Sequence, residues 1–170
     1  MSAAALAYAV LALVALQRLS ELPLAARNTR ALLAQGAVET GAGHYPLIIG
    51  LHVLWLVSIV IFLPHPTPVY WPLLVVFALF QLLRLWVIRS LGVFWTTRVI
   101  SLPGAPLVTT GPYRYLRHPN YLAVAGEILF LPLAFGEWDV AIIFFIANAA
   151  IIAWRIHAED TALAARKPGP

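Results

Sequence analysis

Between Gly111 and Tyr121 the chain reads Gly111-Pro112-Tyr113-Arg114-Tyr115-Leu116-Arg117-His118-Pro119-Asn120-Tyr121, with two arginines, a histidine, an asparagine and three tyrosines in eleven residues. The surrounding sequence is overwhelmingly apolar, so this concentrated polarity marks where chemistry should be sought. Pro119 pushes His118 out of helical geometry and is itself suited to the first position of a helix. A histidine at a helix entrance, beside backbone N–H groups that lack intrahelical partners, suits a polar or anionic group of a ligand. The simpler reading of a lone histidine is structural.

Further ionisable groups recur at helical spacings. Arg84 and Arg89 are five apart, Glu127 lies about two turns beyond Pro119, and Arg155, His157, Glu159 and Asp160 fall close together near the end. Such groups are costly at membrane depth and face a bundle interior or a wet cavity. With Arg114 to Tyr121 they are expected to form one polar pocket. Glu127 paired with Arg84 or Arg117 would satisfy both partners, the alternative being a purely structural pair. Arg155 and Glu159, four apart, share a helix face, which a solvated surface pair would also explain. The other histidines, His44, His52, His65 and His157, have no metal-ligand spacing, and the chain contains no cysteine. Disulfides and thiolate sites are excluded and no metal site is expected. No GxSxG elbow, Walker loop or GxGxxG turn occurs, which leaves nucleotide hydrolysis and Rossmann-type binding without support.

The elements that must position these residues are those of a membrane protein. Of 170 residues, 62% are hydrophobic and 11% charged, and the mean hydropathy is +0.86; soluble domains are roughly half apolar and a quarter charged. The expected fold is an all-α integral membrane protein, with room for four to six spans of about 20 residues. Five helices are read. The first runs from Ala3 to Leu19 and on to Ala34 before Gly36 stops it, with Pro23 expected to kink it; lacking a charged leader region and a cleavage site, it reads as a retained span. The second, His44 to Leu63, closes on Pro64-His65-Pro66-Thr67-Pro68, which cannot continue a helix. Val69 to Leu91 is the third, ending at Gly92. Irregular or short extended structure is expected from Gly92 to Pro119. Tyr121 to Phe135 and Trp138 to Ala158 form an antiparallel hairpin about Gly136-Glu137. A single domain thus has three spans in residues 1–91 and the site-bearing region in 92–165.

Charge placement supports this layout. With the N-terminus outward, the Pro64–Pro68 and Gly136 turns lie outside, where Glu137 and Asp139 fall. All eleven Lys and Arg residues then lie on or toward the inner side, the positive-inside pattern. The net charge of +4 reads as topology plus a site, and no nucleic-acid partner is expected. Arg27, Arg30, Arg166 and Lys167 read as anchors at anionic headgroups.

The run Gly-x-Tyr-x-x-x-Arg-His-Pro-x-Tyr at Gly111–Tyr121, followed about forty residues later by Trp154-Arg155 and Glu159-Asp160, resembles the isoprenylcysteine carboxyl methyltransferase (ICMT) family, which is similar to membrane phospholipid methyltransferases. The resemblance covers roughly residues 90 to 165. Ala123 stands where the family often has Gly, and Glu159-Asp160 where it has Glu-Glu. Gln17-Arg18-Leu19-Ser20-Glu21, Arg27-Asn28 and Gly36 through Pro46, with Glu39, Gly41, Gly43, His44 and Tyr45, look similar to a narrower bacterial branch. That branch accompanies type III polyketide synthases and is implicated in O-methylating alkylpyrones or alkylresorcinols.

The resemblance implies S-adenosylmethionine as cofactor in a cytosolic pocket, and a multi-pass protein of the bacterial inner membrane. Its implied cofactor-binding residues are Gly111, Tyr113, Arg117, His118, Pro119, Tyr121, Glu159 and Asp160. Arg117 and His118 would hold the methionine end, Tyr113 and Tyr121 would line the pocket, Glu159 would take a ribose or amino group, and backbone around Leu107 to Gly111 would meet the adenine. Arg155 would orient the acceptor, with Glu127 and His157 as candidate bases. The lipophilic acceptor would enter sideways from the bilayer. Methyl transfer is an in-line displacement in which positioning supplies much of the rate; a carboxylate acceptor wants an arginine, and a phenol or enol wants a base or a cation that lowers its pKa. A prenylcysteine carboxylate is the rival acceptor. Rival classes are an NADPH-dependent membrane reductase and a transporter or structural membrane protein; a transporter should carry polarity to both faces, and here the outer side has almost none.

Overall fold

The structure is a computed structural model that describes residues 2–40, 43 and 45–163. Expectations placed on Gly41, His44, Arg166 and Lys167 lie outside the described residues. All five helices are present: α1 (Ala3–Ala34), α2 (Tyr45–Phe62), α3 (Trp71–Leu91), α4 (Pro119–Ala134) and α5 (Trp138–Leu163). Four of them, α1, α2, α3 and α5, contain stretches long and apolar enough to cross a membrane. The fifth, α4, has 16 residues and rises only about 24 Å. The protein is an all-α integral membrane protein. A small antiparallel ribbon, β1 (Val38–Thr40) with β2 (Val99–Ser101), pairs Glu39 with Ile100.

Local chemistry explains the boundaries. Ser2 caps α1 by accepting from the Ala5 N–H at 3.2 Å. The helix then continues through Pro23 to Ala34, although the proline removes one backbone donor. Past its end, the Ala37 N–H donates to Leu32 O at 3.1 Å and the Gly36 N–H to Leu33 O at 3.0 Å, the paired bonds that satisfy the last carbonyls of a helix. The α4 terminus repeats this, with Glu137 donating to Pro132 and Gly136 to Leu133. Gly136 has φ +83°, and a Cβ there would lie 2.6 Å from Pro68 Cγ. The two turns expected on the outer side therefore pack against each other. Tyr70 adds a bond from its N–H to Ala134 O at 2.8 Å and an edge contact with Trp138.

The core joins all five helices through Ala7, Leu11 and Val14 of α1, Trp55 and Ile59 of α2, Phe77 of α3, Ile128 and Leu131 of α4, and Val140 of α5. Gly126 lets α3 approach α4 closely, since a Cβ there would lie 2.4 Å from the Phe80 ring. Outward-facing Leu13, Leu16, Phe62, Leu82 and Ile146 are exposed, a surface for lipid.

Candidate active site

At the end of the bundle opposite the packed turns, the segment between α3 and α4 folds over a cleft of about 440 Å³. Three stretches of that segment form walls: Phe94–Thr96, Arg98–Ser101 with its β2 residues, and Leu107–Thr109 with Tyr113. The remaining wall is polar and comes from Arg117, His118, Asn120 and Tyr121 at the α4 entrance and from Arg155, Glu159 and Asp160 on α5.

His118 occupies the cap position of α4 with extended φ (−129°), and Pro119 follows as the first helical residue. The Tyr121 hydroxyl donates to Glu159 Oε2 at 2.6 Å. His118 Nδ1 lies 3.8 Å from the same oxygen and Nε2 3.5 Å from Asp160 Oδ1. Its ring leans against that of Tyr121 at 5.6 Å. Arg117 is largely exposed and reaches Asp160 at 3.0 Å. Arg155 lies over the Tyr121 ring at 5.7 Å, and both its terminal nitrogens donate to Thr97 O at 3.2 Å. Arg155 is thus drawn to a loop carbonyl, and Glu159, one turn on, is drawn to Tyr121. The Tyr113 phenol is held well above its ordinary pKa, first by burial and then by the charge of Glu159. It therefore stays protonated.

The β ribbon fixes the wall beside Arg155. Arg98 bonds Glu39 at 3.1 Å across the two strands and lies 5.0 Å over the Tyr45 ring. Sequence reasoning assigned no role to Arg98, Thr97 or Asn120. A carbonyl such as Thr97 O has no residue-type signature, and the Glu39–Arg98 partnership spans about sixty positions.

Of the residues singled out in advance, Tyr113, Arg117, His118, Tyr121, Arg155, Glu159 and Asp160 all line the cleft. Gly111 and Pro119 shape it from behind. Gly111 has φ +61°, and a Cβ there would lie 2.0 Å from Ser90 Oγ, so it seats the loop on α3; Pro119 is fully buried as the start of α4. His157 is exposed on α5 and lies outside the lining.

The expectation of one polar pocket requires correction: the ionisable residues divide into two groups. Arg84 and Glu127 lie two turns inside their helices and join Arg18 and Glu21 of α1. Arg84 Nε donates to Glu21 at 2.8 Å and its Nη1 lies 3.8 Å from Glu127, which also accepts from Arg18. Glu127 is completely buried, and neither it nor Arg84 lines the cleft. Its partners are Arg18 and Arg84; Arg117, the other expected partner, pairs with Asp160. Arg89 is exposed. Two balanced positive and negative charges explain how this group sits inside an apolar bundle.

Comparison with known proteins gives this geometry a context. The model of the isoprenylcysteine carboxyl methyltransferase (ICMT) family matches residues 72–165, which contain every side chain of the cleft lining. The uncharacterized protein YpbQ of Bacillus subtilis is 37% identical over 158 residues, covering 91% of this chain and 94% of that protein. An uncharacterized protein of Haemophilus influenzae is 27% identical over 153 residues, covering 86% and 88%. No solved structure matches.

Proposed function

The chain belongs to the isoprenylcysteine carboxyl methyltransferase family, a membrane methyltransferase therefore, and we propose that it transfers the methyl group of S-adenosylmethionine to an oxygen of a lipophilic acceptor. The observation that carries this reading is the convergence of His118, Tyr121, Arg155 and Glu159 on one cleft of about 440 Å³. The residues present fit such a donor. Glu159 and Asp160 offer carboxylates to its ammonium or ribose hydroxyls, His118 and Arg117 lie beside them for its carboxylate, and Tyr113 supplies a neutral donor. Asn120 and Arg155 add an amide and a guanidinium to the polar wall. Leu107, Val108 and Phe94 give the opposite side an apolar surface for a ring or an alkyl chain.

When bound, this cofactor supplies an electrophilic methyl group on a sulfonium. The protein's part is to exclude water, hold the acceptor in line and stabilise its oxygen. Arg155 fits the last role: its guanidinium lines the cleft, held over the Tyr121 ring and by Thr97 O, a fixed cation for an acceptor carboxylate or phenolate. A cation there lowers the acceptor's pKa and lessens the need for a base. Glu127 and His157 stand outside the cleft and are left out of the reacting set. The acceptor class favoured is a bacterial alkylpyrone or alkylresorcinol, a prenylcysteine carboxylate being the rival, and the cleft is assigned to the cytosolic face of the inner membrane.

Purified protein incubated with methyl-labelled S-adenosylmethionine and a native lipid extract is expected to yield a labelled lipid, heavier by one methyl group. Absence of both labelled product and donor binding would remove this reading.

A further inference from the structure

Every side chain of the cleft lining falls within residues 91–160, yet one wall is held from outside that range. Asn28 on α1 is buried, at 6% exposure. Its Nδ2 donates to Gly92 O at 3.0 Å and to Trp95 O at 2.8 Å. These carbonyls bracket the single 3₁₀ turn Gly92–Phe94 that leads from α3 into the cleft wall, closed internally by Trp95 N–H to Gly92 O at 3.2 Å. One turn of this kind has poor hydrogen-bond geometry of its own, so its position depends on what ties it down. Two carbonyls bound by one amide nitrogen is an arrangement a hydroxyl can half reproduce and a carboxylate cannot reproduce at all.

The ring of Trp95 is held from the same side. It is 2% exposed and packs with Ala25, one turn before Asn28 on α1, and with Val87 and the partly buried Tyr113. Trp95 and Tyr113 both line the cleft. The Asn28 bonds and this cluster therefore link α1 to the Trp95 backbone and ring and to Tyr113.

We propose that Asn28 is a positioning residue of the methyl-donor cleft, setting the Phe94–Thr96 wall through Gly92 and Trp95; this rests on the reading of the cleft as the donor site. In the full-length protein in detergent, Asn28→Ala is expected to weaken S-adenosylmethionine binding by about ten-fold, the scale of a buried hydrogen-bond pair lost, with KM for the donor rising by a similar factor and kcat changing much less. Backbone amides of residues 92–97 should exchange hydrogen faster. Asn28→Ser, which restores one donor, should fall between wild type and Asn28→Ala, and Asn28→Asp should be no better than Asn28→Ala. Donor affinity within two-fold of wild type together with unchanged exchange at 92–97, in a variant that melts like wild type, would overturn the proposal. Should Asn28→Ala fail to fold, the same two readouts on Asn28→Ser decide it. If wild type itself does not bind the donor, the donor reading fails, while the exchange rates still show whether Asn28 holds the wall.

Discussion

Tyr121 and Arg155 stack on each other at 5.7 Å but answer to different partners, which separates their effects. Tyr121→Phe deletes the hydroxyl that Glu159 accepts at 2.6 Å and leaves that carboxylate short of a partner, a change worth about 1–2 kcal/mol. Donor affinity should drop roughly ten-fold, visible by calorimetry. On the proposed reading Arg155 serves the acceptor, so in Arg155→Ala donor affinity should stay within a few-fold while kcat falls about a hundred-fold, the usual scale for losing one electrostatic donor to a transition state. Equal loss of donor affinity in both variants would contradict the division of roles. The residues of this cleft that sit in one local run, from Tyr113 to Tyr121, were legible in the sequence because polarity there contrasts with everything around it. The contacts of Arg98 and Asn28 were not, although Arg27-Asn28 stands out as a mark of the bacterial branch. Their partners are carbonyls and an acid dozens of positions away, and only the folded chain brings these together.

Helix boundaries were legible for the same kind of reason. Gly36, Gly92 and Gly136 fall where apolar periodicity stops, and each marks a helix end. What single-sequence reading could not supply is rotation about a helix axis, and that decided the fate of Arg84 and Glu127. A carboxylate two turns into α4 has one face toward the cleft end and another toward α1; Arg18 and Glu21 on α1 determined which. Short extended structure was expected between Gly92 and Pro119, where β2 lies, but its pairing with β1 went unread because three-residue strands carry too little alternation. The buried group predicts a specific pattern of stability. Glu127→Leu leaves Arg18 without its main counter-charge and should destabilise the protein by about 3–5 kcal/mol, whereas adding Arg18→Met should recover much of the loss, since a buried pair replaced by apolar groups is often near neutral. Thermal unfolding in detergent reads both. A double variant no more stable than Glu127→Leu would break the pairing argument, and a stable double variant that binds donor but has no turnover would return Glu127 to the chemistry.

At the scale of the whole molecule, the family match covers α3, the cleft segment, α4 and α5, while α1 and α2 supply the contacts that hold these parts in place: Asn28 on the cleft wall, Arg18 and Glu21 in the buried group, Tyr45 beneath Arg98. Both turns expected on the outer side meet at one end of the bundle, and the cleft with Arg98, Arg117 and Arg155 occupies the other. Such charge asymmetry favours a basic end in the cytosol, which the proposed reaction requires because its methyl donor is water-soluble. The absence of cysteine from the whole sequence makes this directly testable, because any thiol introduced is the only one present. His65, exposed in the Pro64–Pro68 turn, and Thr110, exposed beside the cleft, mark the two ends. In intact cells, His65→Cys should react with a membrane-impermeant maleimide, and Thr110→Cys should react only after the membrane is permeabilised. The reverse pattern would put the cleft on the outer face, away from any cytosolic donor pool, and the proposed reaction could not then run as described.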